Sequence, residues 1–84
     1  MQSMVADLTE RQIADAVEKI LDRQVHIQRT TNIAGDLAVD SLALMNIVME
    51  LEDTFDISIP LDRLVQVQTI GDLADIISSL RPVP

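Results

Sequence analysis

Apolar residues in this chain recur every third and fourth position in three separate stretches. Nowhere do they alternate long enough to build a sheet, so the core must be buried by helices. The first stretch carries Ile13, Ala16, Val17, Ile20 and Leu21 on one side, with Glu10, Arg11, Asp15, Glu18 and Lys19 elsewhere. That is an amphipathic helix of about three to four turns. Thr9 with Gln12 three residues later reads as a capping box opening it, and it should end near Asp22 to Gln24. From Asp22 to Val39 no helical period holds. Val25 and Ile27 alternate with His26 and Gln28, but a lone strand has nothing to pair with. Both are expected to pin a loop to the core. A structureless connection of this length in a compact domain is uncommon and often functional.

The next helix starts at Asp40 and Ser41, where cap chemistry is wanted, and runs to Phe55. At about 100° per residue, Leu44, Ile47, Val48, Leu51 and Phe55 share one narrow stripe, the core face. Leu42, Met45 and Met49 fall on the opposite side, among Glu52, Asp53 and Asp56. Three outward apolar residues beside a helix start form a patch. Methionine suits adaptable contact surfaces, so Met45 and Met49 read as docking residues. Asp56 to Pro60 breaks the pattern, and Pro60 fits the first turn of a short helix over Leu61 to Val65. Thr69 with Asp72 caps a last helix through Ile70, Leu73, Ala74, Ile77 and Leu80, which Pro82 and Pro84 end. The expected fold is all-α: a small antiparallel bundle of three main helices plus one short helix, with a long loop between the first two. The 84 residues make a single domain, ordered over about residues 8–80 with frayed tails.

Composition removes whole classes of function. The chain has no Cys and one His, His26, so disulfides, thiolate metal sites and a cysteine nucleophile are excluded. It carries 6 basic and 14 acidic residues, a net charge of −8, and no two basic residues are adjacent. Nucleic-acid binding is therefore not expected, and the acidic excess suits basic partner surfaces. The first residues lack a secretory signal and no apolar stretch approaches the ~20 residues that span a bilayer, which points to a soluble, cytoplasmic protein with no membrane insertion.

Ser41 is the best candidate for chemistry. A helix N-terminus offers free N–H groups and a partial positive charge, so a phosphoryl group on its hydroxyl would be held there. The competing reading is that Asp40-Ser41 only caps the helix. A hydrolase pair with His26 fails, because Ser41 lies in no Gly-x-Ser-x-Gly elbow. Asp36 with Asp40, and Asp53 with Asp56, lack calcium-loop spacing and read as solvated acidic surface, so no metal site is expected. No nucleophile–base pair is visible, and no catalytic residues are assigned.

The segment Asp36-Leu37-Ala38-Val39-Asp40-Ser41-Leu42 resembles the prosthetic-group attachment site of acyl carrier proteins, usually Asp-Leu-Gly-x-Asp-Ser-Leu. Val48 through Pro60 is similar to that family's second helix and the loop after it, and Thr69-Ile70-Gly71-Asp72-Leu73 to the start of its last helix. The resemblance covers about residues 8–80. It implies a carrier without catalysis of its own, in which Ser41 receives 4′-phosphopantetheine from coenzyme A through a phosphopantetheinyl transferase. Asp40 would assist that transferase near its metal ion, and Leu42 would pack against it or another partner. The thiol of the arm would hold acyl groups as thioesters for fatty-acid or specialised lipid or polyketide biosynthesis. Leu42, Met45 and Met49, rimmed by Glu52, Asp53 and Asp56, would dock acyl-transferring or acyl-modifying enzymes through their basic patches, with the carrier itself a monomer. The aliphatic core could open to shelter the acyl chain.

Three positions depart from the family's pattern. Ala38 stands where glycine is usual, so the turn there is expected to avoid a glycine-only conformation. Ala43 and Asn46 replace residues commonly acidic in general fatty-acid carriers, which points to a carrier dedicated to one pathway. Two other readings stand beside this one: an aminoacyl or peptidyl carrier, and an unmodified helical interaction module whose Met patch is a permanent interface.

Overall fold

The computed structural model describes the backbone of residues 4–81 and the side chains of residues 8–81. Pro82 and Pro84, expected to end the last helix, and the expected fraying of the extreme ends lie outside the described residues. Four helices follow in order: α1 (Met4–Leu21), α2 (Ser41–Phe55), α3 (Leu61–Leu64) and α4 (Ile70–Leu80). This is the expected bundle of three long helices and one short one, with α1 packing on both α2 and α4. Among the described residues, strand pairing is limited to one isolated bridge between Asn32 and Thr69. Among the described residues no helix is long and apolar enough to cross a membrane.

The expected start of α1 is corrected. The helix begins by Met4, runs 18 residues, and contains Thr9 in its interior rather than at its cap. Nothing between Met4 and Thr9 breaks a helix, and Thr9 is 1% exposed, with its hydroxyl 3.4 Å from Arg81 Nη1. Tertiary burial thus claims a side chain whose local spacing mimics a capping box. The other end matches expectation. Asp22 takes a left-handed φ of 58° while its N–H donates to Glu18 O at 2.8 Å, and Glu18 Oε2 accepts from Val25 N at 3.1 Å, turning the chain back.

The core is aliphatic. Ile13 and Val17 of α1 meet Ile47, Val48 and Leu51 of α2 and Ile70, Leu73 and Ile77 of α4. Each such side chain removed from water contributes about 1.5–3 kcal/mol. Leu44 and Phe55 are half-buried at the edges of the α2 stripe, and Arg81 lies over the Phe55 ring at 5.1 Å.

The 22–40 loop is part of that core. Val25 and Ile27 pack against it as expected, and Ile33, Leu37 and Val39 are buried in it. Straps hold the loop to the α3–α4 connection: Ile33 N donates to Gln68 O (2.9 Å), Ile70 N to Thr31 O (3.0 Å) and Gly71 N to Arg29 O (2.8 Å). Gly71 is required by closeness, since a Cβ there would stand 2.9 Å from Arg29 O. Arg29 also pairs with Asp75 at 2.8 Å and Glu10 at 3.5 Å, joining the loop to α4 and α1.

Ala38 is the second correction. It adopts φ 56°, the left-handed conformation that glycine would take without cost. Its neighbours impose this. Leu37 and Val39 are both buried, the Leu37 carbonyl accepts from Arg23 Nη2 at 2.7 Å, and Val39 N donates to Ile33 O at 3.2 Å. Ala38→Gly is expected to raise stability by about 0.5–1 kcal/mol, relieved strain outweighing the added freedom of the unfolded chain. Urea denaturation followed by far-ultraviolet circular dichroism measures this.

The cap of α4 is as expected. Thr69 Oγ1 accepts from Asp72 N, and Asp72 Oδ2 accepts from the N–H groups of Gln68 (3.0 Å) and Thr69 (3.1 Å). Those donors, Gln68 first, hold the Asp72 carboxyl below its ordinary value of 3.8. A depressed folded pKa stabilises above that ordinary value and loses the stabilisation as pH falls through the folded one. Asp72→Asn should therefore lower the melting temperature at neutral pH, and the gap to the wild type should close as pH drops below about 4.

Candidate functional site

Three elements converge on the start of α2. Asp40 is the N-cap, with φ −85° and ψ 179°, and its Oδ1 accepts from Ala43 N at 2.8 Å while its carbonyl accepts from Leu44 N at 2.9 Å. Ser41 is therefore the first helical residue and not the cap. It is exposed, and its hydroxyl makes no hydrogen bond with the described residues. The N–H groups of Ser41 and Leu42 are left over at this helix end, without a partner among the described residues. An exposed hydroxyl beside two orphan donors at the positive end of a 15-residue helix suits a phosphodiester.

Two grooves flank Ser41, separated by Leu44 and Val67, which line both. One, about 370 Å³, lies toward the loop, with Asn32, Ile33, Ala34 and Gln68 on its walls. The other, about 330 Å³, lies between α2 and α3 and is lined by Met45, Leu61, Leu64 and Val65. No group of three or more metal-ligating side chains forms among the described residues. His26 is exposed and lines a separate surface beside Glu10, Asp15 and Glu18 of α1.

The outward patch stands where the helical phase put it: Leu42 is 72% exposed, Met49 60% and Met45 41%. Leu61 (65%) and Val65 (74%), overlooked in the sequence, extend it onto α3 and its end. Their i, i+3, i+4 spacing with buried Leu64 is that of a single inward face, so nothing in the sequence signals that Leu61 and Val65 stand exposed. The acidic rim is thinner than its residue types suggest. Asp53 and Asp56 are exposed, with Asp56 closing α2 at φ 57°. Glu52 is half-buried, its Oε2 accepting from Ile59 N at 2.8 Å, and Glu50 pairs with Lys19 at 2.9 Å.

Comparison with known proteins agrees with this geometry. The family model described as a phosphopantetheine attachment site matches residues 11–77. A Caulobacter vibrioides protein named "Probable acyl carrier protein" is 61% identical over 77 residues, covering 92% of this chain and 90% of that one. A Mycobacterium tuberculosis protein solved as a candidate acyl carrier protein is 31% identical with a TM-score of 0.79, covering 84% of this chain and 96% of that one. The solution structure of a holo acyl carrier protein from Geobacter metallireducens is 28% identical with a TM-score of 0.75, covering 84% and 83%. This chain belongs to the acyl carrier protein family, whose members are carriers rather than catalysts and hold 4′-phosphopantetheine covalently. The start of α2 fits that group: a free hydroxyl, unused N–H donors and open grooves beside it.

Asp40→Ala removes the cap and should cost about 1 kcal/mol, whereas Asp40→Asn should keep most of it, as read by urea denaturation.

Proposed function

We propose that Ser41 is the residue that carries 4′-phosphopantetheine, and that the chain delivers acyl groups bound to the arm's thiol as thioesters. The observation that carries this reading is the division of labour at the start of α2. Asp40 supplies the cap, which leaves the Ser41 hydroxyl exposed and uncommitted. The dipole of α2 and the N–H groups of Ser41 and Leu42 then favour the phosphodiester's charge. The arm supplies a thiol that a chain without Cys lacks.

Leu42, Met45 and Met49, together with Leu61 and Val65, form the surface we assign to the phosphopantetheinyl transferase and to the acyl-transferring or acyl-modifying enzymes. Asp53 and Asp56 supply the charge that steers basic patches, with Glu52 a weaker member because one oxygen serves Ile59. Contact through such a surface is transient, as a carrier needs. Ala43 and Asn46 leave the first turns of α2 without carboxylates, which supports service to a dedicated lipid or polyketide route over general fatty-acid synthesis.

Incubation with coenzyme A, magnesium and a broad-specificity transferase should add one phosphopantetheine to the intact mass, and Ser41→Ala should abolish the gain. No gain with several transferases would overturn the assignment and favour an unmodified interaction module.

A further inference from the structure

We propose that the unloaded arm on Ser41 rests in the groove between the 22–40 loop and the α3–α4 connection, its amides bonded to the side chains of Asn32 and Gln68. This inference rests on attachment at Ser41. The two grooves beside that residue differ in chemistry. The α2–α3 groove offers Leu44, Met45, Leu61, Leu64, Val65 and Val67, with no polar side chain besides Ser41 itself. The loop-side groove offers two carboxamides over an apolar floor of Ile33, Val39, Leu44 and Val67.

A pantetheine arm matches the second lining. It carries a branched dimethyl carbon near the phosphate, then a hydroxyl and two amides separated by short methylene runs. Laid in the aliphatic groove, those amides would lose water and gain no partner. Laid in the loop-side groove, they meet unused donors and acceptors. Asn32 Oδ1 already accepts from Gly35 N at 2.6 Å, but its Nδ2 donates to no described residue. The Gln68 carboxamide has no partner among the described residues. The dimethyl carbon finds Val39 and Leu44 beside Ser41.

The groove is also preformed. Ile33 N to Gln68 O (2.9 Å) and Ile70 N to Thr31 O (3.0 Å), the two bonds that make the Asn32–Thr69 bridge, fix its two walls against each other through backbone alone. Little ordering is needed when the arm arrives. An arm resting here leaves Met45, Leu61 and Val65 uncovered, so the unloaded carrier presents an unobstructed face to the next enzyme.

Nitrogen-15 correlation spectra of the unmodified and mass-verified modified protein test this directly. The expected changes fall on the backbone amides of Ile33, Ala34 and Gln68 and on the side-chain NH2 signals of Asn32 and Gln68, while Leu61 and Val65 stay within line width. Gln68→Ala keeps the backbone strap, and Ala34→Phe fills the groove from an exposed position. In each variant the changes at Asn32 and Ile33 should fall by half or more while loading by mass persists. Changes confined to the neighbours of Ser41, centred on Met45, Leu61 and Val65, or undiminished in both variants would overturn the proposal. Absence of any mass gain would instead overturn attachment at Ser41, and the two failures are distinct.

Discussion

The molecule depends on a loop behaving as core. With one aromatic residue in the chain and three helices of modest length, α1, α2 and α4 do not close their own interior. Ile33, Leu37 and Val39 complete it from an irregular segment, whose backbone polar groups must then be satisfied near apolar surroundings. The strap to Gln68, Ile70 and Gly71 does this, and Arg23 takes the Leu37 carbonyl. Because Val39 is the last buried residue before Asp40, the same anchoring sets the entry angle of the chain into α2. The position of Ser41 is a consequence of how the loop packs.

Charge is distributed with equal economy. The basic side chains that appear in contacts are spent on holding elements together: Arg29 between α1 and α4, Lys19 on Glu50, Arg81 over Phe55 and beside Thr9, Arg63 on Ser79. Carboxylates outnumber the basic residues, and after several are used in caps and pairs others, Asp53 and Asp56 among them, still face solvent. Exposed pairs of this kind contribute little individually, and their main effect is to leave a surface of one sign.

Much of this was legible in the residues. Helical periodicity placed the core faces of α2 and α4, the outward phase of Met45 and Met49, and the Thr69–Asp72 box, because each depends on spacing within one element. What depends on contact between distant segments was not. Thr9 and Gln12 have the spacing of a cap, yet burial against Arg81 draws Thr9 into a longer helix. Nothing in the spacing around Ala38 marks its left-handed backbone, which Arg23 and Ile33 impose from 15 and 5 residues away; the one hint, the glycine usual there, points to that backbone and against the turn expected for alanine. Glu52 reads as surface charge until its bond to Ile59 is seen. Asn32 and Gln68 lie far apart in the chain and meet only through the strap.

The acidic residues of α2 gather at its wrong end for its own dipole. The first turn holds no carboxylate and the last turn no cation, while Asp53 and Asp56 stand exposed at the partially negative terminus. Each such placement costs an exposed helix about 0.3–1 kcal/mol at low ionic strength. The free chain therefore sits in a state of electrostatic frustration that added cations relieve, whether they come from salt or from an enzyme's basic surface. On the docking surface proposed above, docking and folding would be thermodynamically linked through this helix: a partner neutralising the end of α2 would also tighten the element that displays Ser41.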